Sequence, residues 1–382
     1  MGMNLQPVWP AAGSLVWPNL LRAGGLALRP MRLVFALFLL VGFAALLRVP
    51  AIVNEEAATY ADVFEVADDA FEDRLRAPLS WRTPEALAVY PRAIAAAFRG
   101  APRWSLLLTL PALALWGVFG GAIARSAAAE FAGQRRLTWP QALGQSLSRG
   151  VSATLVTAGP LILVGMIVGL LAALGWLFLG IFALNYVGGA LYIVAILLGA
   201  VAALTLLGLA LGWPMLVPAV MCEGSDAMDA VGRVFAYVRA RPLRLLLYWT
   251  ILALLAALAL WFVFLAVSWT TSIAGRASSL WLDGGYDDLI RLRGTTGGES
   301  WTTQDTRWQN HTGGMVGFWT RLTLLVVPAY LVSFAHTGGA LLYLAMRRVC
   351  DGQSESDIWD PTRERPSPIP ASASDEVDEA DA

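Results

Sequence analysis

The chain has 382 residues, of which 57% are hydrophobic and 14% charged, with a net charge of −1. Soluble domains carry about 25% charged residues, and charge is costly in hydrocarbon. The balance is that of an integral membrane protein and excludes a basic nucleic-acid binder. All 27 basic residues are arginines. The two cysteines, Cys222 and Cys350, match no zinc spacing and supply no disulfide framework.

In chain order, residues 1–30 are read as a cytoplasmic N-terminal segment and 31–53 is the first apolar run. A secretory signal is the rival reading of that run. Its apolar core comes too late and no small-residue cleavage site follows, so it is read as an uncleaved span. Residues 54–103 begin acidic and end with a surface helix after Thr83-Pro84-Glu85, a capped start. The second span is 104–126. A short helix starting near Gln141 follows, with Thr138 as its cap and Pro140 near its start. From residue 150 to 222 there is no charge at all. At ~1.5 Å per residue that run is too long for one crossing. It splits at Asn185-Tyr186, its only polar turn-prone interruption, into spans 153–182 and 187–220. Spans five and six are 244–268 and 318–347, and the Gly- and Thr-rich stretch 283–317 is an external loop. The membrane domain covers 31–350. Residues 351–382, rich in Ser, Pro, Asp and Glu, form a disordered acidic tail.

Arginines flank the uncharged run on both sides: Arg125, Arg135, Arg136 and Arg149 before it, Arg233, Arg239, Arg241 and Arg244 after it. Arginine-rich short loops lie in the cytoplasm. Both ends of the run are then inside, which requires an even number of crossings. The expected architecture is all-α: an integral membrane bundle of six spans with cytoplasmic elbow helices and both termini in the cytoplasm.

The stretch Cys222 to Arg233, CEGSDAMDAVGR, sets three carboxylates, Glu223, Asp226 and Asp229, at i, i+3 and i+6. It reads either as an acidic site or as a helix start. Ser225 suits an N-cap and Asp226 the first turn. Asp229 and Arg233 stand at i and i+4 in the favourable order. Met228, Val231, Phe235 and Val238 make one apolar face. An amphipathic helix in the interface accounts for all of these except Glu223. Glu223 is expected either to pair with an arginine, such as Arg125 at the matching level of span two, or to face water. His336, in SFAHTGG, is the ionisable residue expected near a span centre, either hydrogen-bonded between helices or functional. The motifs HExxH, GxSxG, CxxC and the P-loop are absent from the sequence. No catalytic, cofactor-binding or metal-ligating set is expected.

QALG at 141–144 and DAVG at 229–232 each follow a span and lead into another. This is either a parallel repeat, as in some transporters, or convergent elbow design. FGGAIARSAAAEFAG (119–133), EGSDAMDAVGRVFAYVRARP (223–242) and YLAMRRVCDG (343–352) resemble a group of uncharacterised multi-pass bacterial membrane proteins familiar from planctomycetes. Met228 and Val234 depart from that pattern, where an aromatic and a serine are expected. The resemblance implies a helical inner-membrane protein and carries no activity with it. The first expectation is therefore a membrane scaffold, assembly or envelope-organising component. Its partners are the lipid bilayer and other membrane proteins or a second copy. A permease with a midplane site near His336 comes second, and a membrane-embedded enzyme third.

Overall fold

The computed structural model describes residues 17–53, 102–133, 136–179, 185–278 and 305–360, with the single positions Ala96 and Leu280. Among them every regular element is helical. A 3-10 turn, Trp17–Leu21, leads into α1 (Arg22–Ala27) and α2 (Pro30–Val53). Then come α3 (Pro102–Phe131), α4 (Trp139–Ser148), α5 (Gly150–Leu179), α6 (Asn185–Glu223), α7 (Ala227–Ala240) and α8 (Pro242–Ser278). The order closes with α9 (Asp305–Leu324) and α10 (Val326–Asp351).

Among the described residues, six segments are long and apolar enough to cross a membrane: Pro30–Val49, Arg103–Phe131, Gly150–Phe178, Tyr192–Glu223, Pro242–Ser278 and Met315–Asp351. The protein is a multi-pass helical membrane bundle. The uncharged run divides where its polar interruption predicts, with α5 ending at Leu179 and α6 starting at Asn185. Gly188 belongs to the close approach of this hairpin, since a Cβ there would lie 2.6 Å from the Phe178 carbonyl oxygen.

The helices overrun the apolar windows. The 37 residues of α8 extend for ~55 Å, against a hydrocarbon core of ~30 Å. The expected loop over 283–317 is helical from Asp305 onward, because a backbone already committed to a helix in lipid continues into the polar layer. The last span breaks once, at Leu325 between α9 and α10. Pro328 lies in the first turn of α10, where its missing N–H is tolerated. The surface helix expected after Thr83 lies outside the described residues, as does the tail beyond 360.

α10 is the hub. From Ala340 to Arg347 every residue is buried, and the helix packs against α1, α2, α3, α6, α7, α8 and α9. Small residues permit this. A Cβ on Gly339 would come within 2.1 Å of the Pro214 carbonyl oxygen of α6, and one on Gly120 of α3 would strike His336. Such contacts are how helices associate where lipid removes the hydrophobic drive. By contrast, Met166, Trp176, Ile193, Leu197 and Leu204 of the α5–α6 hairpin are exposed, as residues facing lipid tails are.

The two elbows are real helices, each linking one span to the next. Thr138 forms a capping box with Gln141, in which the Thr138 N–H donates to Gln141 Oε1 at 3.1 Å. In α7 the N-cap is Asp226, at φ −75° and ψ 165°, and not Ser225, whose buried hydroxyl has no hydrogen-bond partner in the protein. Of the expected apolar face, Val231, Phe235 and Val238 pack against the core and Met228 does not. Ala227, Ala230, Val234 and Tyr237 are buried, while Met228 is 84% exposed. The small alanines and Val234 set α7 close on α6, where Gly212 leaves room for Val234 and Gly208 for Phe235. Gly144 and Gly232, the matching glycines of the two elbows, face open space, so packing does not explain that match.

Candidate functional site

The carboxylate stretch lies where α6, α7 and α10 meet. Glu223 closes α6, and Gly224 follows at φ +64°, with its N–H donating to the Val220 carbonyl at 2.8 Å. This left-handed stop is the ordinary glycine C-cap. It aims the Glu223 side chain, 10% exposed, into the bundle end. Oε1 accepts from the Tyr343 hydroxyl at 2.6 Å and from Arg347 Nη1 at 3.3 Å, and Oε2 accepts from Arg233 Nη1. One carboxylate thus ties three helices. Partial burial works against the charge of Arg233, but Glu223 and the neighbouring acidic groups outweigh it, so its pKa lies above the ordinary arginine value. Beside it, Tyr237 donates to Asp351 Oδ2. Burial first, and this bond second, raise the Tyr237 pKa above the ordinary tyrosine value.

The chain's own C-terminal segment covers this junction. Gly352, at φ +70°, ends α10 and turns the chain back. Arg347, 3% exposed, donates through Nη2 to the Ser354 carbonyl at 2.9 Å and to that of Asp357. Glu355 is held by Arg348 at 3.2 Å and by Asn19 Nδ2 at 2.9 Å. Ile358 is buried, and the Trp359 N–H donates to the Cys222 carbonyl at 2.7 Å. The indole lies against Gly224, where a Cβ would sit 2.5 Å from its Cγ. The guanidiniums of Arg125 and Arg149 stand 5.4 and 5.1 Å from the ring centroid, within cation–π range. Residues 352–360 are therefore a docked strap, although the polar composition places them in the disordered tail.

The expected sites are accordingly redistributed. Glu223 pairs with arginines, but these are Arg233 and Arg347 rather than Arg125. Arg125 donates through Nε to Gln145 Oε1 at 2.8 Å and faces Trp359. Arg233 turns back to Glu223 rather than bonding Asp229, and Asp226 meets Arg149 at 3.9 Å. Composition and spacing pick out Glu223 but not its partners Tyr343 and Arg347, nor Trp359. The one signal for the strap is Ile358-Trp359, an apolar pair in an acidic stretch.

His336 is buried against Trp116, with ring centroids 4.3 Å apart, and its Nε2 has no hydrogen-bond partner in the protein. It does not join the Glu223 junction. Among the described residues no three His, Cys, Asp or Glu side chains converge as a metal-ligand set.

A general base needs a free lone pair aimed at a substrate. Glu223 has about four acceptor positions, and three donors already occupy its oxygens. The arrangement is suited to fixing helices. Comparison with family models, curated proteins and solved structures finds no match to this chain.

Proposed function

We propose that the protein is a non-enzymatic scaffold or assembly component of the bacterial cytoplasmic membrane. In this reading both termini are cytoplasmic and α4 and α7 lie in the cytoplasmic interface. One observation carries it: Glu223, the buried carboxylate of the stretch that spacing marks as a candidate active site, is engaged in joining α6, α7 and α10, and its partner Arg347 holds the strap. Chemistry at that end would need groups left free to meet a substrate. Orientation rests on the arginines at the same end of the bundle, among them Arg29, Arg125, Arg149, Arg233, Arg244 and Arg348, since short arginine-rich segments are retained inside. The exposed apolar hairpin α5–α6 offers lipid, a second copy or another membrane protein an unobstructed surface.

The permease reading keeps one observation in its favour, the buried and unpartnered Nε2 of His336. A single experiment ranks the two. Photo-crosslinkers placed along α5 and α6 in cells should capture a defined partner or a second copy. Liposomes holding the purified protein should show no solute flux. Flux without a captured partner, abolished by His336→Phe in a variant that still folds, would overturn the scaffold reading. For orientation, a reporter active only in the cytoplasm and fused at Ser300 should stay silent, and strong activity there would invert the topology.

A further inference from the structure

A second polar cluster lies at the arginine-rich end, between α2 and α3. Arg32 is 2% exposed, and each of its three guanidinium nitrogens donates a hydrogen bond. Its Nε donates to Ser126 Oγ at 3.0 Å, and its Nη1 donates to the Leu26 carbonyl. Its Nη2 donates to the Ser126 carbonyl at 3.0 Å and to Glu130 Oε2 at 2.7 Å. Glu130 Oε1 takes Arg29 Nη2 at 2.5 Å, with Arg136 Nε at 3.8 Å. Three guanidiniums therefore face one carboxylate, an excess of two positive charges. The side chains of Arg29 and Arg136 are 43% and 75% exposed, so both retain donors directed to the outside.

A cavity of about 130 Å³ opens among them, lined also by Pro30, Met31, Ser126 and Leu137. Pro30 begins the first span and Phe131 ends the second, so the cavity stands at the level where a bilayer places its headgroups. Exposed Trp139, two residues beyond Leu137, suits the same level as an amphipathic interface ring. Basic pockets between spans at this depth are where acidic headgroups bind.

We propose that this cavity is a binding site for the phosphate of an anionic phospholipid. Arg29 and Arg136 donate to the phosphate oxygens. The Arg32–Glu130 pair forms a rigid floor, with the Glu130 charge cancelled by Arg32. Met31 and Leu137 meet the glycerol and upper acyl chain. The inference rests on the membrane embedding and is independent of the scaffold reading.

The test is lipid retention by the full-length protein in mixed phosphatidylglycerol–phosphatidylcholine nanodiscs, read by native mass spectrometry after mild delipidation. The wild type should keep phosphatidylglycerol preferentially. The double variant Arg29→Gln/Arg136→Gln should reduce that preference about tenfold or more, as loss of two near-surface arginine contacts implies. Arg239→Gln removes one exposed charge elsewhere on this end and should leave the preference intact. Arg136→Gln alone serves if the double variant unfolds, and should lower the preference severalfold. Equal loss in Arg239→Gln would mean diffuse attraction and overturn the site. No preference in the wild type would also overturn it. Millimolar inorganic phosphate should not displace the lipid, and displacement would make this a free-phosphate site and refute the lipid assignment.

Discussion

Replacing Glu223 with Ala is expected to destabilise the protein by about 3–5 kcal/mol, the usual cost of removing one partner from a buried ion pair. The reason lies in what remains. Arg347, 3% exposed, loses its carboxylate partner, and the Tyr343 hydroxyl loses its acceptor. Each stranded donor costs about 1–3 kcal/mol. Arg347 also positions the strap through Ser354 and Asp357, so the loss propagates to 352–360. Glu223→Gln keeps an acceptor for Tyr343 but not the charge, and should fall between wild type and Ala. Unfolding in nanodiscs by heat or denaturant measures all three. A change in Glu223→Ala within about 0.5 kcal/mol, the ordinary range for a surface position, would refute the clamp.

Gly224→Ala should lose about 2–4 kcal/mol, from two separable causes. A left-handed conformation costs a residue with a Cβ about 1–2 kcal/mol, and Gly224 sits at φ +64°. The new methyl also collides with Trp359, so the indole must leave Arg125 and Arg149. In a Trp359→Ala background the collision vanishes, and the same substitution should cost only the backbone part. A double-mutant cycle isolates the difference as the strap's share. Additive effects of the two substitutions would show that Trp359 does not dock on Gly224.

The architecture is legible in the sequence because it follows from length and charge. A run with no charge from 150 to 222 is too long for one span, arginines at both of its ends call for an even number of crossings, and Asn185-Tyr186 is its one turn-prone polar interruption. The elbows are legible for a similar local reason, since Thr138, Pro140 and Gln141 are a helix start in any context. What fails is tertiary. Glu223 and Arg125 end neighbouring spans, yet rotation of α6 and α10 presents Tyr343 and Arg347 to the carboxylate instead. The apolar stripe of α7 packs through Val231, Phe235 and Val238, with Gly208 and Gly212 of α6 leaving room for Phe235 and Val234, but Met228 at its start lies outside that contact. Composition averages over Ile358-Trp359 and reports a polar tail, whereas docking depends on two residues and a backbone hydrogen bond. The same limit hides the Arg32–Glu130 pair, whose members stand 98 positions apart.

The central claim is that the carboxylate stretch is a closed structural joint, sealed by the chain's own strap, and not an open reactive site. Amide hydrogen exchange of the wild-type protein in nanodiscs tests it most directly. The Trp359 amide, bonded to the Cys222 carbonyl, should exchange as slowly as amides in the last turns of α10, and Glu223→Ala should speed it. Exchange of residues 352–360 at the rate of a free peptide in the wild type would contradict the account.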